Sequence, residues 1–65
     1  MTQYGKKLLN YIQSKQITSS TAHEVFSDPE SGFDDIDSVA KAIHELADDK
    51  IIELNNYIGL GFNVI

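Results

Sequence analysis

Few residues of this chain have the types and spacing that chemistry would need. His44 and Asp48 lie four residues apart, so a helix would place both on one face, where they could supply two metal ligands. The sequence places no third ligand beside them, and we interpret them as a solvated pair. His23 falls in the first turn of a short helix, where a structural or exposed position is the simpler interpretation. We expect no metal site and no cofactor.

An acidic segment, residues 28–37, resembles a calcium-binding loop in composition alone. Counted from Asp28, the glycine (Gly32) stands at position five instead of six, and position twelve is Val39 instead of a bidentate glutamate. We interpret this segment as a solvated loop. The sequence also contains no Ser/His/Asp arrangement, phosphate-binding loop or convergent carboxylate pair, and 65 residues leave little room for a deep pocket. We therefore predict a non-enzymatic protein that binds a partner.

Charge and cysteine content restrict the kind of partner and the compartment. Ten acids stand against five lysines, with no arginine, and the net charge of −5 repels phosphate backbones and acidic membranes. Three lysines and no acid occupy residues 1–15, whereas residues 24–37 carry six acids and no base. Without cysteine the fold depends on packing alone, and a reducing cytoplasm is the expected setting. No apolar run suits a signal peptide or a membrane span, so we expect a soluble, cytoplasmic, unprocessed protein.

The hydrophobic pattern predicts one domain over residues 1–65 with three helices. Helix 1 is expected over about residues 4–16. Helix 2 is expected to begin at a Thr21 cap and to end by about residue 27, and helix 3 has Asp34 or Asp35 as its N-cap. The residues expected to face the core are Leu8, Leu9 and Ile12 in helix 1, Ala22, Val25 and Phe26 in helix 2, and Ile36, Val39, Ala40, Ile43, Leu46 and Ala47 in helix 3.

Beyond Lys50 the alternation changes to period two and predicts a hairpin with a turn at Asn55 and Asn56. Ile52 and Leu54 share a face with Ile58, Leu60, Phe62 and Val64 if Leu54 stands opposite Ile58. That register leaves Tyr57 at an exposed tip. It also places Gly59 and Gly61 on the outer face, where we interpret them as an ordinary twist or bulge.

Residues 38–54, SVAKAIHELADDKIIEL, resemble the recognition helix and first wing strand of winged-helix domains. The order of elements agrees across nearly the whole chain, including a short extended piece at Ile17 and Thr18. The resemblance implies an α+β, mainly α fold, with three helices and a C-terminal β-hairpin, the wing. The sequence departs from the winged-helix pattern in two places. The loop between helices 2 and 3 is long, and Lys50 stands where a capping glycine is common.

By this resemblance, the protein would be a regulator of transcription or replication that binds duplex DNA through helix 3 and the wing. Asp35 would be among the exposed positions of helix 3, and Lys15 would be a further phosphate contact. The residues expected to contact DNA or another partner are Ser38, Lys41, Ala42 and Glu45 of helix 3, Asn55, Asn56 and Tyr57 of the wing, and Lys6 and Lys7 of helix 1. Recognition of bases commonly depends on arginine side chains that hydrogen-bond to guanine, and this chain contains no arginine.

An alternative therefore stays open: an acidic protein-interaction module, or a DNA mimic, that binds a basic protein through its helix 2 to helix 3 surface. We also expect a homodimer formed through the C-terminal strand, residues 58–65, because its outer edge carries no charge. The sequence decides neither between DNA and protein partners nor whether the chain is part of a larger protein.

Overall fold

A computed structural model describes residues 2–56, the side chain of Asn56 excepted, and residues 59–65. In chain order, the elements of these ranges are α1 (Gln3–Lys15), β1 (Ser19–Ser20), α2 (Ala22–Ser27), a 3₁₀ turn (Pro29–Ser31), α3 (Ile36–Asp48), β2 (Ile52–Asn56) and β3 (Gly61–Val64). The described part is thus an α+β, mainly helical domain with three α-helices and a three-stranded antiparallel sheet. This layout is compatible with a winged helix. No helix in it is long and apolar enough to cross a membrane.

The core forms where α1, α2 and α3 close over the inner face of the sheet. Its fully buried large side chains are Leu8, Val25, Val39, Ile43, Leu46, Ile52 and Phe62. The predicted stripe of α3 is therefore confirmed over its central turns. The prediction that Phe26 and Ile36 face the core is wrong, because Phe26 is 39% exposed and Ile36 is 43% exposed. Ala40 and Ala47 are half-buried.

Side-chain caps begin two of the helices at the predicted residues. The Thr21 hydroxyl accepts a hydrogen bond from the Glu24 N–H (3.1 Å), and the Asp35 carboxylate accepts one from the Ser38 N–H (2.7 Å). That bond is the main reason why the pKa of Asp35 lies below its ordinary value. Both predicted caps are confirmed, Asp35 being the one of the two offered residues that α3 uses.

Two helices end in the same hydrogen-bonding pattern, each with a non-glycine residue at positive φ. At the end of α3, the Ile51 N–H donates to the Leu46 carbonyl (2.9 Å) and the Lys50 N–H donates to the Ala47 carbonyl (3.0 Å). These are the two bonds of a Schellman motif, and Lys50 occupies its left-handed position with φ 62°. Gln16, with φ 55°, occupies the equivalent position after α1. The departure noted at Lys50 is thus accommodated without a change in the helix end.

The sheet has the strand order β1-β3-β2, so β3 is its central strand. Leu54 stands opposite Phe62 and Ile52 opposite Val64, and a bulge lies between Leu54 and Asn56. The predicted register, with Leu54 opposite Ile58, is wrong, and Asn55 and Asn56, expected to form the turn, belong to β2. Ile52, Leu54, Phe62 and Val64 nevertheless share one face, as predicted. The predictions for Tyr57 and Ile58 lie outside the described residues.

Three further expectations about the sheet are corrected. The short extended piece expected at Ile17 and Thr18 forms a strand two residues later, at Ser19–Ser20. Gly61, expected on an outer face, is buried opposite Asn56. Because Ser19 and Ser20 pair with Asn63 and Phe62, the edge of β3 that was expected to be free is covered by β1. Dimerisation stays an untested prediction, but this geometric reason for it does not hold.

Candidate interaction surface

Part of the α3 face that was expected to read DNA is occupied inside the molecule. Ala42 is 0% exposed, so its predicted exposure is wrong. The Glu45 carboxylate accepts hydrogen bonds from the Thr2 backbone N–H and from the Thr2 hydroxyl. The hydroxyl bond is the main cause that lowers the pKa of Glu45 below its ordinary value. Two of the four predicted contact residues on α3 are therefore buried or engaged inside the molecule.

The other two predicted α3 residues, Ser38 and Lys41, are at least partly accessible. Ser38 is half-buried, and the Lys41 ammonium lies 5.8 Å from the centre of the Tyr4 ring, within range of a cation–π contact. The outward row of the helix consists of Asp37, Lys41, His44 and Asp48, all exposed. This row carries two acids and one lysine, which is a poor match for a phosphate backbone.

His44 and Asp48 share that outward row, as their spacing predicted. Among the described residues, no group of three His, Asp or Glu side chains is close enough to hold a metal ion.

The lysines of α1 contact the acidic segment that follows α2. The Lys7 ammonium donates to the Gly32 carbonyl (2.9 Å) and lies 5.4 Å from the centre of the Phe33 ring. Lys15 forms an ion pair with Glu30, whose hydrogen bond raises the pKa of Lys15. Both side chains remain exposed, but their charges are directed to groups of this chain. Lys6 is exposed, and within residues 2–56 and 59–65 its side chain forms no hydrogen bond or ion pair.

The first carboxylate of the acidic segment is held by local structure. Asp28 accepts hydrogen bonds from the Tyr11 hydroxyl (2.7 Å) and from the Glu30 N–H (2.9 Å), and the Tyr11 bond is the main cause that lowers the pKa of Asp28. Burial, followed by the bond to Asp28, raises the pKa of Tyr11 to about 12. Asp28 therefore anchors the 3₁₀ turn to α1.

The segment around the start of α3 is different. Asp34, Asp35 and Asp37, named here the acidic surface, are all exposed. Asp35 caps the helix, whereas the carboxylates of Asp34 and Asp37 have no cationic partner in the part of the chain that the structure describes. Carboxylates at a helix N-terminus are stabilised by its dipole, so this concentration of negative charge costs the fold little.

The wing residues expected to bind a partner are only partly described. The Asn55 amide donates to the Asn63 side-chain oxygen (2.9 Å), which links β2 to β3 on the solvent side of the sheet. The side chain of Asn56 and all of Tyr57 lie outside the described residues. Asn55 thus has an intramolecular role that the sequence did not indicate.

Sequence reasoning missed two grooves. One, of about 610 Å³, opens between α1 and the 3₁₀ turn and is lined by polar side chains such as Lys7, Asn10 and Gln13. The other, of about 260 Å³, is named here the α2–α3 groove, and it is lined by Ala22, His23, Ile36, Gly59 and Leu60. The signal that could have found it is an isoleucine among acids at the start of α3, together with a leucine between two glycines.

Comparison of the chain with known protein families, with curated proteins and with solved structures finds no match. The functional interpretation therefore depends on the geometry and charge of this molecule.

Proposed function

We propose that the protein is a non-catalytic domain of winged-helix type that binds a basic protein partner through the acidic surface of Asp34, Asp35 and Asp37. The observation that carries this proposal is the division of charge on the molecule. Lys7, Lys15 and Lys41 face groups of this chain, and Lys6 is, within residues 2–56 and 59–65, a single unpaired cation on α1. The carboxylates of Asp34 and Asp37, by contrast, lie together and form no ion pair in the described residues.

The winged-helix assignment rests on the order of elements. Three helices, a short strand between the first two, and a C-terminal β-hairpin follow one another as the sequence resemblance implies. Winged-helix domains commonly bind DNA, and this layout favours a second candidate function, a DNA-binding regulator. Against it stand the burial of Ala42, the contact between Glu45 and Thr2, and the absence of arginine.

Electrostatics separates the two functions. A domain that binds DNA neutralises phosphates, releases counterions and weakens steeply as salt rises. A domain that presents carboxylates attracts cationic peptides at low salt and repels a duplex there, and salt screens both interactions. Whether the protein prefers a cationic peptide or an anionic duplex therefore distinguishes the two functions.

The experiment is an amide chemical-shift titration of the labelled full chain with an oligolysine peptide and with a short mixed-sequence duplex, each at low and at physiological salt. We expect oligolysine to shift the amides of residues 34–37 and the duplex to give no response. The double substitution of Asp34→Asn with Asp37→Asn should weaken oligolysine binding severalfold. Asp48→Asn with Asp49→Asn, which removes the same charge at the other end of α3, is the matched control.

Two outcomes would overturn the proposal. One is a set of salt-sensitive shifts at Lys41 and Asn55 caused by the duplex, which would establish the DNA-binding function instead. The other is oligolysine binding that the two double variants weaken equally, because attraction would then come from net charge and not from this surface.

A further inference from the structure

We infer that the α2–α3 groove is the docking site for an apolar side chain carried by a basic segment of the protein partner. This inference rests on the proposed function and adds to it the position and the chemistry of the contact. The groove lies between the start of α2, the start of α3 and the turn before β3.

The groove is apolar where most of the surface is polar. Within the described residues, four large apolar side chains are exposed: Tyr4, Phe26, Ile36 and Ile65. Ile36, 43% exposed, is the one of these four that lines the groove, together with the half-buried Leu60. The groove therefore presents apolar surface to solvent at the start of α3.

The volume indicates the size of the occupant. Small-molecule sites usually measure roughly 300–1,000 Å³ and enclose most of the ligand. The groove measures about 260 Å³ and stays open to solvent, which suits one or two side chains of a larger partner. Interfaces commonly concentrate their binding energy in such an anchor.

The backbone at Leu60 points to the same place. Leu60 has φ 48°, a left-handed conformation that costs an L-residue free energy and that glycine adopts without penalty. Its neighbours in the chain, Gly59 and Gly61, are both glycine, yet the strained position is taken by leucine. The Leu60 side chain is half-buried and lines the groove. Gln16 and Lys50 take the same conformation because they end helices, whereas Leu60 ends no helix and presents its side chain to the groove.

Charge complementarity identifies the occupant. Ile36 lies between Asp35 and Asp37 in the chain, and Glu24 follows His23 on α2, whereas no lysine lines the groove. An apolar side chain that enters the groove therefore brings its neighbours close to carboxylates, which favours lysine or arginine on either side of it. A second copy of this chain is a poorer match, because its net charge is −5 and two of the three lysines in its basic segment, Lys7 and Lys15, already contact groups of their own chain.

The test uses two fluorescent peptides of equal length and charge, one built of lysine and leucine and the other of lysine and alanine. Fluorescence anisotropy of each is measured against the full chain and against three variants. Ile36→Ser and Leu60→Gly remove the groove's side chains, and glycine also suits the backbone at position 60. Ile65→Ser removes an exposed isoleucine elsewhere, 76% exposed, and is the matched control. Circular dichroism of each variant verifies that it is folded.

We expect the leucine peptide to bind at least about tenfold more tightly than the alanine peptide, since burial of one leucine side chain accounts for such a ratio. Ile36→Ser and Leu60→Gly should abolish that preference, and Ile65→Ser should keep it. A leucine preference unchanged in both groove variants would overturn the docking site and leave the acidic surface standing. Failure of both peptides to bind at low salt would overturn the proposed function together with it.

Discussion

Inside a helix, alanine normally gives a more stable protein than glycine. At Lys50 we expect the opposite, with Lys50→Gly more stable than Lys50→Ala. Lys50 ends α3 at φ 62° and donates its N–H to the Ala47 carbonyl. Both replacements remove the lysine charge and its favourable interaction with the helix C-terminus, so the difference between them reports on the backbone. Glycine should give the more stable protein, because alanine keeps the left-handed strain that lysine bears now.

The magnitude follows from two opposing contributions. A left-handed conformation costs an L-residue about 1–2 kcal/mol, and glycine avoids that cost. Glycine also raises the entropy of the unfolded chain, which returns about 0.4–1 kcal/mol. The expected difference between Lys50→Gly and Lys50→Ala is therefore about 1 kcal/mol, which corresponds to roughly 4–8 °C in the melting temperature of a domain of this size.

The assay is urea denaturation followed by circular dichroism, with the pair Asp48→Gly and Asp48→Ala as the control. Asp48 is the last residue of α3 and is exposed, and there alanine should be the more stable replacement, by up to about 1 kcal/mol. The reasoning is refuted if alanine equals or exceeds glycine at position 50 while the Asp48 pair behaves as expected. Such a result would mean that the backbone at Lys50 is not left-handed in solution.

Three further predictions test the local contacts. Tyr11→Phe removes the hydroxyl that is bonded to Asp28. The pKa of Tyr11 is raised from 10.0 to about 12, so between these pH values the unfolded chain loses the phenol proton more readily than the folded one. The native protein should therefore lose stability as pH rises through this range, and the variant should not show this loss. Urea midpoints measured against pH check this. Thr21→Ala should cost about 1 kcal/mol by leaving the Glu24 N–H without its cap, whereas Thr21→Ser should cost little in the same assay. Phe62→Ala should cost about 3–5 kcal/mol, comparable to the whole stability of so small a domain, and should leave a mostly unfolded circular dichroism spectrum.

The sequence by itself determined the features that depend on neighbours along the chain. The stripe of α3 specified a helix that buries Val39, Ile43 and Leu46, and short-range hydrogen bonding specified the caps at Thr21 and Asp35. Helical periodicity and capping are local, because each involves residues that lie within about one turn of each other. The α+β class and the order of elements followed from these signals.

Tertiary structure decided the pairing of the strands. Leu54 opposite Ile58 and Leu54 opposite Phe62 differ by an even number of residues, so both registers place the same side chains on the inner face. Alternation in the sequence therefore cannot distinguish them. The two-residue strand β1, which makes β3 the central strand, is equally too short to leave a pattern.

The surface was also decided by contacts distant in the chain. Ala42 was wrongly expected to be exposed, although its position three residues after Val39 and four before Leu46 indicates the buried stripe of α3. The contact between Glu45 and Thr2, which lie 43 residues apart, has no local signal. Lys7 and Lys15 were expected to face a phosphate backbone, but the acidic segment folds back against α1, where Lys7 donates to the Gly32 carbonyl and Lys15 pairs with Glu30. The sequence specifies which residues carry charge. Which charges remain for a partner is decided by the packing of separate segments, because a contact such as Lys15–Glu30 joins residues from different elements.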